Sequence, residues 1–80
     1  MNIRVKIDSI KEAERFSSIC QQFPAEFFLR GDHFCTDPKS ALGILAIMYS
    51  AGERMYIDTG SMEDGMISNF INKIAPYIAG

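Results

Sequence analysis

Three observations place the chain in the α+β class, as an antiparallel four-stranded sheet with three helices on one face in the order βαββαβα. Four short stretches read as strands, the first with clean period-two alternation. Three others repeat apolar residues every three or four positions. Glycine, proline and aspartate mark the junctions and leave room only for short turns. A sheet covered on one side buries each apolar stripe and leaves the polar strand faces in water.

Asn2–Asp8 alternates, with Ile3, Val5 and Ile7 on one side and Asn2, Arg4, Lys6 and Asp8 on the other. Ser9-Ile10-Lys11-Glu12 is a capping box: the Ser9 hydroxyl accepts from the Glu12 N–H and the Glu12 carboxylate reaches back to the Ser9 N–H. The first helix then runs to about Gln22 on a stripe of Ile10, Ala13, Phe16, Cys20 and Phe23, and Pro24 forbids its continuation. Ala25–Arg30 is the second strand, with Phe27 and Leu29 on one face and Glu26, Phe28 and Arg30 on the other. Gly31-Asp32 reads as a two-residue hairpin turn leading to a third strand, His33–Thr36.

Asp37-Pro38 reads as N-cap and first helical residue of a second helix that is apolar nearly all round and ends at Ala51-Gly52. Met55–Thr59 is the fourth strand. Ser61 is the expected N-cap of the last helix, whose stripe is Met62, Met66, Ile67, Phe70, Ile71, Ile74 and Ile78, with Pro76 loosening its end.

Eighty residues suffice for one domain spanning 1–80. Apolar residues make up 48%, too many for a disordered chain. Eight basic against ten acidic side chains give a net charge of −2, so no strong basic field steers the chain as a whole to nucleic acid or to an anionic membrane. The start carries alternating charge rather than the apolar run of a signal peptide, and the longest apolar stretch, Ala41–Tyr49 broken by Gly43, is too short to cross a bilayer. A cytoplasmic location is therefore expected. Cys20 and Cys35 lie in no metal-ligand spacing and His33 is the only histidine, so neither a metal nor another cofactor is expected, and both thiols are read as reduced and mostly buried.

The segment Lys39-Ser40-Ala41-Leu42-Gly43-Ile44-Leu45 resembles the K-S-I-M-G-V-M segment of the HPr-like family, the phosphocarriers of the sugar phosphotransferase system. Gly52, Ile57 and Thr59-Gly60-Ser61 fall at the family spacing downstream, and Phe23, Ala25, Glu26 and Leu29 match upstream, so the resemblance spans essentially the whole chain. It implies the family's open-faced β-sandwich. The family's chemistry resides in a G-[IL]-H-A-R-P segment, whose histidine takes phosphate from phosphoenolpyruvate by way of enzyme I. Here Ser9 stands at the histidine, Lys11 at the arginine and Glu12 at the proline. A serine phosphate is a stable ester, Lys11 keeps only a charge without the bidentate fork, and Glu12 repels an incoming anion. His33 belongs to the second hairpin, read as lying at the far end of the sheet, and does not substitute.

The resemblance thus implies a non-enzymatic, regulatory or protein-binding relative of the phosphocarriers. It is similar in this respect to the catabolite-repression paralogues that lack the histidine and keep the serine. Ser40 is the candidate for phosphorylation by HPr kinase, and Lys11 is a candidate anion contact. Leu45, Ile47 and Met48 are the candidate outer face of the second helix, docking a protein partner together with the first-helix N-terminus, or a second copy in a homodimer. Neither nucleic acid nor membrane is expected as a partner. Two other readings stand beside this one: a phosphocarrier with an unrecognised acceptor, and an interaction domain unrelated to sugar transport.

Overall fold

The computed structural model describes residues 1–49 and 54–79; the expected helix end at Ala51-Gly52 lies outside them. Four strands, β1 (Asn2–Val5), β2 (Phe28–Arg30), β3 (Cys35–Thr36) and β4 (Met55–Asp58), form one sheet in the order β1-β4-β2-β3. All neighbouring strands are antiparallel. Helices α1 (Ile10–Cys20), α2 (Ala41–Met48) and α3 (Asp64–Ile74) follow the strands in the expected alternation, and a short 3-10 helix, Ala75–Tyr77, closes the chain. The chain is therefore α+β with an open antiparallel sheet and three α-helices.

Period-two patterning decides which sheet face is covered. Val5, Leu29, Met55 and Ile57 are buried, whereas Arg4, Phe28 and Arg30 on the opposite face are exposed. The inward residues join Phe16, Ile44, Ile47, Phe70 and Ile74 from the three helices in one apolar core. Phe70 sits at its centre, edge-on to Phe23 at 5.0 Å and tilted against Phe27 at 5.1 Å.

Several boundaries differ from the sequence reading. β1 ends at Val5 rather than Asp8, because the Lys6 N–H turns to the Tyr77 carbonyl, 2.7 Å away, and Val5 bridges to Ile78. The β2–β3 connection is a four-residue loop, Gly31–Phe34, closed by the Gly31 N–H on the Phe34 carbonyl at 2.8 Å. No residue there has positive φ, which a two-residue primed turn would demand, so His33 lies in the loop instead of a strand.

The second helix begins later than expected. Ser40, not Asp37, is its N-cap. Asp37 instead folds a turn, its carboxylate accepting from the Lys39 N–H at 2.9 Å and its carbonyl from the Ser40 N–H at 3.0 Å, with Pro38 buried inside. Glu63, not Ser61, caps α3, without a side-chain bond. Ser61 sits instead in a turn closed by the Met62 N–H on the Thr59 carbonyl at 3.0 Å. Gly60 at the second position has φ +58° and packs so closely that a Cβ would stand 2.5 Å from the Glu26 carbonyl oxygen. Only glycine meets both demands.

Candidate functional site

The residues singled out by sequence fall at the two ends of the α1–α2 pair. At the α1 N-terminus, Ser9 adopts an extended N-cap conformation and its hydroxyl accepts from the Glu12 N–H at 3.1 Å. The Glu12 carboxylate reaches one residue further than the capping box predicts, to the Asp8 N–H at 3.2 Å. The hydroxyl at the histidine's position thus satisfies a first-turn donor, and a carboxylate stands beside it. Lys11 is exposed and its ammonium makes no hydrogen bond or ion pair among the described residues. Ile10, expected in the buried stripe, is 52% exposed, and the stripe becomes buried only from Ala13 onward.

Ser40 is exposed and caps α2, its Oγ accepting from the Gly43 N–H at 3.3 Å. It is placed by α1: the buried Ser17 hydroxyl donates to the Lys39 carbonyl at 2.8 Å, and Gln21 donates to the same carbonyl at 3.1 Å. On the other side, the Lys39 ammonium donates to the Ala25 carbonyl at 3.1 Å and lies 5.4 Å from the centre of the Phe27 ring. Since Ser40 is level with Ser17, it stands about 12 Å along α1 from Ser9 at 1.5 Å per residue. Met48 at the other end of α2 lines a cavity with Lys6, Ile7 and Asp8, so α2 runs antiparallel to α1 and its C-terminal end meets the α1 N-terminus.

The outer face of α2 is not the one expected. Ile47 is 2% exposed, and Leu45 and Met48 are half-buried against the core. Leu42 and Tyr49 are the exposed large residues, at 79% and 69%. Gly43 sets this phase: a Cβ there would collide with the Thr36 side chain of β3, so α2 can lie on the sheet only with Gly43, Ile44 and Ile47 inward. An apolar strip of Leu42, Leu45 and Tyr49 then runs along the helix from Ser40. That signal was present in the sequence as the single glycine of an otherwise apolar helix.

The remaining candidates are dispersed. Cys20 is buried, and burial, with Asp37 adding repulsion, pushes its thiol up to about 12. Cys35 is exposed, against the expectation of two buried thiols, because its position opposite Arg30 on β2 turns it to the open sheet face. His33 leaves the sheet at the same end as the C-terminus of β1, not the far end, since Arg30 and Arg4 are both level with Tyr56. The strand order nevertheless separates the β2–β3 loop from β1 by two to three inter-strand spacings, or about 10–14 Å. Tyr77 is half-buried, with its ring edge-on to Phe16 at 5.3 Å. Among the described residues no cluster of three His, Cys, Asp or Glu side chains is placed to hold a metal ion, and no helix is long and apolar enough to cross a membrane.

No family model, no curated protein and no solved structure matches this chain.

Proposed function

We propose that the chain is an HPr-like protein of the phosphotransferase-system type that acts as a regulatory, protein-binding domain rather than a phosphocarrier. The observation that carries this reading is the state of Ser9. At the position where the resemblance expects a phosphoryl-accepting imidazole, a serine hydroxyl caps α1, with the Glu12 carboxylate on the N–H of the preceding residue, Asp8. A phosphate there meets a carboxylate and displaces a cap. The α+β architecture with an open four-stranded sheet is compatible with the family's fold. The partner surface in this reading is the strip of exposed Leu42 and Tyr49 with half-buried Leu45 between them, running from Ser40 toward the α1 N-terminus.

The test has two arms. Incubation with phosphoenolpyruvate, enzyme I and magnesium leaves the protein without acid-labile phosphate, whereas a phosphate on Ser9 or His33 would make it a carrier after all. Incubation with HPr kinase and ATP adds one phosphate in the wild type and none in Ser40→Ala, read by mass spectrometry. An unmodified wild type would turn the reading to an interaction domain without a link to sugar transport.

A further inference from the structure

The geometry points to the open face of the sheet, opposite the helices, as a binding surface for single-stranded nucleic acid, held by Arg4, Lys6, Arg30 and Arg54 around the ring of Tyr56 with Phe28 as a second stacking platform. The net charge of −2 is a sum over the whole chain and says nothing of how charge is distributed. The register is what concentrates it. Arg4 on β1 and Arg30 on β2 both lie directly opposite Tyr56 on β4, and directly opposed residues of an antiparallel sheet point to the same side. One row of the open face therefore reads arginine, tyrosine, arginine. Alternation puts Lys6 and Arg54 on the same side, both exposed, while Val5, Ile7 and Met55 between them are buried. Arg4, Lys6 and Arg54 also border one cavity of about 480 Å³ at the end of the β1–β4 pair, which Val5, Ile7 and Met48 line from the helix side. Four of the eight basic side chains of the chain thus share one face.

Acidic residues cancel only part of this face, Glu26 being exposed on the same alternation as Phe28 and Arg30. Asp58 accepts from Arg30 at 3.2 Å and from the Gly60 N–H at 3.0 Å, so it orients Arg30 and offsets its charge, which leaves the excess positive charge to Arg4, Lys6 and Arg54. Asp8 lies at the margin of the cavity. Arg4, Lys6 and Arg54 have no ion pair or hydrogen bond from their side chains among the described residues. Phe28 is 41% exposed and sits diagonally from Tyr56, one strand over, about 7–8 Å away in a sheet.

Flat aromatic rings on an uncovered antiparallel sheet, flanked by guanidinium groups, offer unstacked bases a platform and their phosphates a counter-charge. A duplex keeps its bases stacked inside and offers the rings nothing. A small phosphate ester fits the cavity but uses neither ring. The single strand is the ligand that uses both features. The row of Arg4, Tyr56 and Arg30 lies on the side of the sheet away from the helical strip assigned above, so substitutions in the row test this reading apart from that one.

The test is fluorescence anisotropy with a labelled mixed-sequence oligonucleotide of about ten nucleotides, within the span of one such platform, as RNA and as DNA, at about 50 mM salt. Saturable binding that weakens as salt rises is expected for at least one strand type. A preference for RNA assigns contacts to the 2′-hydroxyl, and equal affinity assigns binding to stacking and phosphates alone. Arg4→Glu or Arg54→Glu lowers affinity about tenfold or more, and Tyr56→Ser or Phe28→Ser about fivefold or more. Lys73→Glu on α3 makes the same charge change and leaves affinity within about twofold, because exposed charges beyond a Debye length are screened. Circular dichroism of each variant checks folding, and amide resonances of β1, β2 and β4 shift on titration while those of α1 and α3 stay. No binding, equal binding of duplex or of polyglutamate, or affinity unchanged in both aromatic variants would overturn the proposal.

Discussion

The buried Ser17 hydroxyl of α1 donates to the carbonyl of Lys39 across 2.8 Å, and so fixes the residue that immediately precedes the cap of α2. The same oxygen of Ser17 accepts from Gln21 at 3.3 Å, and Gln21 also donates to the Lys39 carbonyl. This small polar network ties two helices that otherwise meet through apolar side chains. Ser17→Ala removes the buried donor but leaves the Lys39 carbonyl its bond from Gln21. The expected loss is about 1 kcal/mol, the net worth of one such bond, measured as a shift of the urea midpoint at unchanged slope. A loss above about 3 kcal/mol would mean that the network holds α2 in place by itself.

Phe70 is fully buried and meets Phe23 and Phe27 edge-on or steeply tilted. Truncation to alanine removes both ring contacts and leaves a cavity between α3 and the sheet. The expected loss is about 3–5 kcal/mol, a large share of the stability of a domain this small. Phe70→Leu, which keeps most of the volume, is expected to lose clearly less. Equal losses for the two variants, read by denaturant unfolding, would place the ring outside the core.

The two thiols give a pH-dependent readout. Burial is the main cause that lifts Cys20 from 9.0 to about 12, so the folded state holds a proton that the unfolded chain releases. That contribution to stability is fully present below about pH 9 and is lost as the pH rises toward 12. Cys20→Ser or Cys20→Ala flattens the alkaline limb of the stability profile relative to the wild type. Iodoacetamide at neutral pH is expected to label the exposed Cys35 and spare Cys20 until denaturant is added. Labelling of both in the native protein would contradict the burial of Cys20.

The elements with a strong period were legible in the sequence, and their ends were not. The alternation from Asn2 and the stripe through Phe70 and Ile74 fixed a strand and a helix because burial on one side decides each position. β1 nevertheless stops at Val5, since the partner of Lys6 is Tyr77, more than seventy positions away, a pairing no local pattern reveals. Asp37-Pro38 carries a helix-start signal, yet Asp37 accepts from the Lys39 N–H and closes a turn instead: aspartate serves either purpose with the same oxygen. The face of α2 was obscured because Leu42, Ile44, Leu45, Ile47 and Met48 leave no polar side to read. Only the collision that a Cβ at Gly43 would make with Thr36 orients it. The charge of the open sheet face was hidden for a different reason. Arg4, Arg30 and Arg54 are far apart in sequence, and only the strand order β1-β4-β2 sets them around Tyr56.

Ser40 offers the most direct link between local structure and regulation. Its Oγ accepts from the Gly43 N–H at 3.3 Å, and α2 has no acidic residue in its first turn and no basic residue in its last. Nothing else on the helix offsets its dipole, so the cap carries that role alone. Ser40→Ala therefore costs about 1 kcal/mol. Ser40→Asp keeps an acceptor and adds a negative charge at the positive end, and is expected to exceed the wild type by about 0.3–1 kcal/mol at low salt. The gain shrinks as salt is added, because Ser40 is exposed and its field is screened. A phosphate on Ser40, with about −1.5 to −2 charges, acts in the same direction and more strongly. Its effect on binding has the opposite sign for an apolar partner. The dianion stands at the head of the strip formed by Leu42, Leu45 and Tyr49, so a ligand that covers the strip must desolvate it, whereas one that brings an arginine gains a charge-assisted bond. Thermal unfolding of wild type, Ser40→Ala and Ser40→Asp at low and high salt checks the cap. The expected order at low salt is Asp above Ser above Ala, with the first two converging as salt rises. An Asp variant no more stable than the Ala variant would show that Ser40 does not cap α2 in solution, and a phosphate there would then have no helix to stabilise.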